Sequence, residues 1–170
     1  QSRRVVSRGL SFFRRHSRTT PEGLRYVSYP GARAGTTGTV ALVSLSLVEV
    51  IETDWGSDWA AALREELWEY VGFLRSLRTE DGRFQGRYSL EDGGGLGGPS
   101  PYSDGEALLL LTRVAQLLDR ADLRDIALES AQSMHRTYVQ EALVNQADIP
   151  TAKQFYQWGC LAYYEICSAG

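Results

Sequence analysis

The chain has 170 residues, of which 43% are hydrophobic and 23% charged, and a formal net charge of −3. This composition is typical of one globular domain and excludes a disordered polymer, while two cysteines are too few for a small domain held together by disulfides. No apolar run approaches the roughly 20 residues of a membrane-spanning helix, so the sequence predicts no transmembrane segment.

Positive charge is concentrated at the start of the chain. Residues 1–35 hold eight arginines and one acid, a net charge of +7, whereas residues 36–170 carry −10. Apolar residues recur at helical spacing in the basic segment, which favours a surface helix, although a targeting peptide has a similar composition. We therefore divide the chain into a basic N-terminal helix and loop (1–35) and a helical body (36–170) within one domain.

The basic segment also bears on partners. Its pattern disfavours nucleic-acid binding, because aromatic residues do not alternate with basic ones as they do on RNA-binding sheets. Peripheral contact with an anionic membrane surface, or docking onto an acidic protein, is compatible with it.

Six segments have the apolar spacing or composition of helices, and none alternates with a period of two, so the sequence predicts an all-α fold. Ser57 or Asp58 is expected to cap the third helix and Asp122 the fifth. The predicted helices span residues 4–15, 39–52, 58–78, 104–118, 123–142 and 154–167.

The helices alternate in character along the chain. The first, third and fifth are amphipathic, whereas the second, fourth and sixth carry little charge, and residues 108–111 are apolar in every direction. A helix that is apolar all round must be covered all round, so the sequence predicts three pairs of outer and inner helices. Longer linkers precede the inner helices, and such loops cluster at one end of a repeat protein, where ligands bind.

The linker between the third and fourth helices contains a glycine-rich stretch, residues 93–99. It has neither the Gly-Lys-Ser/Thr ending nor the preceding strand of a phosphate-binding loop, so we interpret it as a flexible connector.

The two cysteines and the two histidines limit the chemistry. Cys160 and Cys167 are about 10 Å apart along a helix, too far for a disulfide, and are expected to be small core residues. No Cys–His cluster has zinc spacing, so no metal and no cofactor is predicted. Few cysteines and no secretory signal predict a reducing intracellular compartment, with which a plastid or mitochondrion is compatible.

Four segments carry family-like motifs: GTTGTVALVSL (35–45), TEDGRF (79–84), SPYSDGEALLLL (100–111) and FYQWGCLAYYEI (155–166). Together they resemble the six-hairpin, α/α-toroid superfamily of glycosidases and epimerases. The resemblance implies a ring of about six helical hairpins, of which this chain would supply three consecutive ones, a half-ring. The apolar inner helices at its edges would then be covered by the remainder of a longer chain, a second copy or other protein subunits.

The resemblance also places a candidate site at the open end of the toroid. Paired carboxylates act as general acid and base on a sugar when their pKa values differ, so Asp104 and Glu106, with Tyr102, are the candidate catalytic residues. Alternatively, Ser103 and Glu106 form a capping box and Asp104 complements the helix dipole. The candidate substrate-binding residues are Asp81, Arg83, Tyr88, Tyr156 and Trp158.

These substrate-binding residues have structural alternatives. Asp81 begins an Asp-Gly turn that could simply anchor Phe84, and the aromatic residues could pack in the core with hydrogen-bonded polar groups.

Two functions compete on this basis. His16 and His135 lie on predicted outer helices, which disfavours histidine-dependent sugar epimerases and a Ser–His–Asp site. A carbohydrate-active enzyme of glycosidase or uronyl epimerase type, or the C-terminal part of one, fits the motifs. The alternative is a non-catalytic accessory subunit of a larger complex, for example at an organellar membrane, that packs through its helices and its basic N-terminal arm.

Overall fold

A computed structural model of the chain describes residues 2–145 and 149–168. The predicted all-α class is confirmed, and each predicted helix is present with ends that differ by up to seven residues. A π-helical segment, Arg136–Glu141, joins α5 to α6. The elements are α1 (Ser2–Arg15), β1 (Ser17–Thr19), β2 (Arg25–Val27), β3 (Gly35–Thr36), α2 (Thr37–Thr53), α3 (Asp58–Ser76), β4 (Gln85–Tyr88), β5 (Gly95–Pro99), α4 (Pro101–Leu117), α5 (Ala121–His135), α6 (Ala142–Val144) and α7 (Ile149–Ser168).

The long helices form two layers, as the alternation in charge predicted. In the inner layer α4 lies between α2 and α7, and the hairpins α2–α3 and α4–α5 pack the outer helices onto it. Ion pairs join neighbouring parts of the outer layer: Arg14 of α1 pairs with Glu66 of α3, and Arg78, just after α3, pairs with Glu129 of α5. The apolar run 108–111 of α4 is buried throughout.

The apolar stripes of the outer helices face this inner layer. Ser57 caps α3 as predicted, since its side chain accepts a hydrogen bond of 3.0 Å from the Ala60 N–H. Asp122 does not cap α5, because the helix begins at Ala121, one residue before it. The Asp122 carboxylate instead pairs with the Arg120 guanidinium at 2.8 Å. The buried stripe residues are Leu63, Leu67, Tyr70, Val71, Leu74, Leu123, Ala127, Met134, Tyr138 and Ala142.

The described residues also form five short strands beside this helical body, and the sequence predicted none of them. β1 and β2 form an antiparallel pair, and β3, β4 and β5 form an antiparallel sheet in that order. The expectation of a flexible connector in residues 93–99 is wrong, because Gly95–Pro99 is strand β5, paired with β4. Glycines supply backbone hydrogen bonds without side chains, so a strand made of them has no alternating pattern to detect. The sheet lies at the N-terminal ends of α2 and α4, both of which directly follow its strands.

Cys160 and Cys167 are exposed, so the expectation that they are small core residues is wrong. α7 turns its small residues, among them Gly159 and Ala162, towards the protein interior. The cysteines lie on the other side of the helix, which no described element covers.

Close contact between α4 and α7 depends on glycine. A Cβ atom at Gly105 would lie 2.8 Å from the Trp158 Cβ and 3.0 Å from the Gly159 backbone N, so no larger residue fits without displacing α7. Gly9, in the exposed helix α1, has no atom within 4 Å of the corresponding position.

Alanine substitutions at these two glycines are expected to act in opposite directions. Gly105→Ala should lower the free energy of unfolding by about 1–3 kcal/mol through overpacking, whereas Gly9→Ala should raise it by about 0.5–1 kcal/mol through helix propensity. Urea unfolding of both variants measures this difference. If Gly105→Ala were as stabilising as Gly9→Ala, the helices would not approach as described.

Candidate functional site

Helix α4 carries the candidate acidic residues in its first two turns. The helix begins at Pro101 with Ser100 as N-cap, so Ser103 lies inside it and the expected capping box of Ser103 and Glu106 is wrong. Proline is favoured at the first helical position because it needs no hydrogen bond there, and it starts the helix three residues before the predicted boundary. Asp104 and Glu106 are both buried.

Asp104 is held by two other elements. One carboxylate oxygen, Oδ1, accepts a hydrogen bond of 2.9 Å from the Phe84 N–H, and Oδ2 accepts one of 2.5 Å from the Tyr138 hydroxyl. Burial raises the pKa of Asp104 to about 7, although both hydrogen bonds favour the ionised form. Asp104 therefore ties the loop before β4 and the π-helical segment to α4.

Asp81 and Arg83 extend this group of contacts at the surface. The Arg83 guanidinium contacts the Asp81 carboxylate at 2.6 Å and lies 5.9 Å from the centre of the Tyr138 ring. The hydrogen bond from Arg83 lowers the pKa of Asp81 to about 2, so Asp81 is ionised at neutral pH. Between them Gly82 has a φ of +86°, which turns the chain back and favours glycine.

Glu106 lies in a different environment. Its side chain packs against the first turn of α2, where a Cβ atom at Gly38 would come within 1.9 Å of the Glu106 Oε2. The other oxygen, Oε1, is buried and has no hydrogen-bond partner among residues 2–145 and 149–168. Burial raises the pKa of Glu106 to about 7. Glu106 can thus hold a proton near neutral pH, and the missing partner of its Oε1 marks it as a candidate functional group.

Asp104 and Glu106 do not face each other across one cavity, as an acid–base pair would. Residues two apart in a helix point in different directions. Asp104 contacts Tyr138 on the side of the outer layer, whereas Glu106 contacts Gly38 of the inner helix α2. The structure therefore separates the two carboxyls that the sequence paired.

The candidate aromatic residues divide into three places. Tyr102 is 43% exposed and meets the ring of Trp158 edge to face, with centroids 6.3 Å apart. Tyr156 is exposed on another face of α7, since it is two residues from Trp158. Tyr88 is buried in the core, where its hydroxyl donates a hydrogen bond of 2.7 Å to the Val27 carbonyl, so it does not reach a binding surface.

Sequence reasoning missed Tyr138 and Gly38. Tyr138 was assigned to the apolar stripe of α5, but a buried tyrosine needs a partner for its hydroxyl, and that requirement could have linked it to a buried acid. Gly38 lies in a Thr-Thr-Gly-Thr run that starts α2, and only the structure shows which side chain takes the place of its missing Cβ.

The described residues offer neither a metal site nor a membrane span. No group of three or more His, Cys, Asp or Glu side chains among them could hold a metal ion. Likewise, no helix in residues 2–145 and 149–168 is both long and apolar enough to cross a membrane.

Comparison with known proteins adds evidence on the fold. No protein-family model matches the chain, and no curated protein matches its sequence. The fold is similar to the crystal structure of a family 76 glycoside hydrolase from a bovine Bacteroides thetaiotaomicron strain, with a TM-score of 0.69 and 12% sequence identity. The match covers 94% of this chain but 36% of the hydrolase, so the chain spans about a third of that protein. At this identity the likeness shows a toroid-like fold and leaves the activity to be proposed.

Replacing Glu106 by glutamine should change how stability depends on pH. The pKa of Glu106 rises from 4.5 to about 7 on folding, so its contribution to stability is present below pH 4.5 and lost as the pH rises through 7. We expect the free energy of unfolding of Glu106→Gln to fall less than that of the wild type between pH 4.5 and about pH 8. Asp104 also changes its protonation in this pH range, but it does so in both proteins. Its contribution to the pH dependence of stability therefore cancels when the two are compared.

Urea unfolding at several pH values measures this effect, and Glu65→Gln, at an exposed position of α3, is the control. Identical pH profiles for Glu106→Gln and the wild type would show that the Glu106 carboxyl is not desolvated.

Proposed function

We propose that this chain forms part of the carbohydrate-binding cleft of an α/α-toroid enzyme, at the N-terminal ends of its inner helices. The observation that carries the proposal is the buried Glu106 carboxyl with its unpartnered oxygen. Two more buried polar atoms without partners, Gln85 Oε1 and Trp158 Nε1, belong to elements that adjoin the same end of α4. Unpaired buried polar atoms are costly, and hydroxyl groups of a sugar would satisfy them.

The aromatic residues at this end suit a sugar ring. Tyr102 exposes part of its ring beside Trp158, and the Trp158 indole N–H is a hydrogen-bond donor without an acceptor. Carbohydrate sites combine apolar ring faces with a few directed polar groups. The fold's similarity to a glycoside hydrolase supports the same class of ligand.

Glu106 would act as the proton donor in this cleft. A carboxyl with a pKa of about 7 is partly protonated at neutral pH and can transfer its proton to the oxygen of a departing sugar. Hydrolysis of a glycosidic bond also requires a second carboxylate, and Asp104 points away from this side of α4. The second carboxylate would therefore come from another element of the assembled protein.

A second function, as a subunit that packs in a larger assembly, is favoured by the uncovered face of α7. Tyr156, Cys160, Tyr164 and Cys167 lie on one face by their spacing, all are exposed, and Tyr164 is 69% exposed. Such a face is normally buried against another element. The remainder of a longer chain, a second copy or another subunit could cover it, and the first two would also extend the toroid.

Oligosaccharide binding tests the cleft. In titrations against neutral and uronate oligosaccharides, Tyr102→Ala should raise the Kd about fivefold by removing an aromatic contact. Trp55→Ala, which removes an exposed aromatic residue from the turn between α2 and α3, should leave the Kd unchanged. Glu106→Gln should retain binding and lower turnover of the assembled protein at least about 100-fold. Equal effects of Tyr102→Ala and Trp55→Ala, or no binding at all, would reject the cleft.

Thiol labelling tests the packing surface. Because Cys160 and Cys167 are exposed, both should react rapidly with a maleimide in the isolated chain, and mass spectrometry counts the labels. In the assembly isolated from the source organism, both should be protected if α7 packs against a partner. Equal labelling rates in the two samples would contradict the packing function.

A further inference from the structure

Helix α1 presents a row of cations that the fold does not use. Arg4, Arg8 and Arg15 are exposed and lie on one face, because they are spaced by four and then seven residues. None of the three has an acidic partner among the described residues, unlike Arg14, which pairs with Glu66 at 2.7 Å. The row therefore attracts anions beyond the charge needed to hold α1 in place.

This row ends at a pocket. A cavity of about 380 Å³ lies where α1 meets β1 and the loop after β2, and its lining contains no carboxylate. Arg15, His16 and Arg18 supply basic groups, and Ser28 and Tyr29 supply hydroxyls. The Arg18 guanidinium is fixed by a hydrogen bond of 2.6 Å to the Leu90 carbonyl.

Aromatic rings border the same pocket. The Phe12 ring lies 4.4 Å from the His16 ring and 6.2 Å from the Tyr29 ring, measured between centroids. Phe12 and Tyr29 are 40% and 37% exposed, so their surfaces are available to a ligand. The pocket thus combines fixed positive charge with aromatic surface.

We propose that this pocket and the arginine row bind an acidic glycan, a sugar chain that carries carboxylate or sulfate groups. One anionic group would enter the pocket between Arg15 and Arg18, a sugar ring would lie against Tyr29 and Phe12, and further anionic groups would follow Arg8 and Arg4 along α1. Guanidinium groups bind both carboxylates and sulfates by paired hydrogen bonds. The proposal rests on α1, β1 and the loop after β2 and uses no residue of the inner helices, so it and the inner-layer cleft can fail independently.

Two other polyanions fit the surface less well. A lipid headgroup layer is flat, and it would contact the arginine row without filling a recessed pocket. A nucleic acid carries a higher charge density over a greater length, and beyond the row it would meet residues 36–170, whose net charge is −10. A glycan with one charge on each sugar or disaccharide matches a short row that ends in a pocket.

Titration of the full 170-residue chain with defined oligosaccharides tests the proposal. We expect a sulfated or uronate hexasaccharide to bind with an affinity that falls as salt is added, and its neutral counterpart not to bind. Arg15→Gln should weaken binding about fivefold or more, and Arg8→Gln should weaken it less, because Arg15 belongs to both the row and the pocket. Neither arginine has an ion-pair partner in the part of the chain that the structure describes, so both variants should unfold like the wild type.

Arg136→Gln is the matched control, since it removes an exposed arginine from the π-helical segment of the outer layer. The proposal is overturned if Arg136→Gln weakens binding as much as Arg15→Gln, or if the neutral hexasaccharide binds equally well. It is also overturned if inorganic phosphate, single-stranded DNA or vesicles of anionic lipid bind more tightly than the acidic hexasaccharide. Tyr102→Ala should leave this binding unchanged, which separates it from the cleft of the inner helices.

Discussion

The burial of helix α4 over residues 103–112 is the constraint on which the rest of the structure depends. Because α4 has neighbours on every side, each polar group in its first turns must find its partner inside the protein. Asp104 finds the Phe84 N–H and the Tyr138 hydroxyl, which fixes the loop before β4 and the end of α5. Glu106 finds room only because residue 38 is a glycine. The same burial leaves one oxygen of Glu106 unpaired, and that oxygen defines the candidate site.

Helical periodicity made most of this architecture predictable. The spacing of apolar residues on α3 and α5 indicates which faces of these helices must be covered, and the apolar run 108–111 must be covered all round. These two observations suffice to assign the outer and inner layers. The strands could not be found in this way. β5 consists mainly of glycine, and its pairing with β4 depends on backbone groups that have no signature in a single sequence.

The sequence predicted where the two candidate carboxyls lie on α4 but not what surrounds them. The motif around Asp104 and Glu106 placed both residues near the start of an inner helix, while the capping interpretation failed because Pro101 starts α4 earlier than the acidic residues suggest. Which direction each carboxyl takes depends on neighbours distant in sequence, Tyr138 for Asp104 and Gly38 for Glu106. The exposure of Cys160 has the same origin: composition alone does not tell which face of an inner helix has a neighbour.

The charge asymmetry of the chain has one role that the ion pairs show and a second that we propose. Two arginines attach the basic segment to the acidic body through carboxylates of α3. Arg14 pairs with Glu66 and Arg25 with Glu69, each with an N···O distance of 2.7 Å. These ion pairs keep at least one partner open to solvent and so contribute little energy. They orient α1 and β2, whereas burial of Leu10 and Tyr26 contributes more to stability. Arg4, Arg8 and Arg15 lie to one side of Arg14 on α1 and have no ion-pair partner among the described residues. A row of like charges that the fold does not need is better explained by a ligand of opposite charge than by stability.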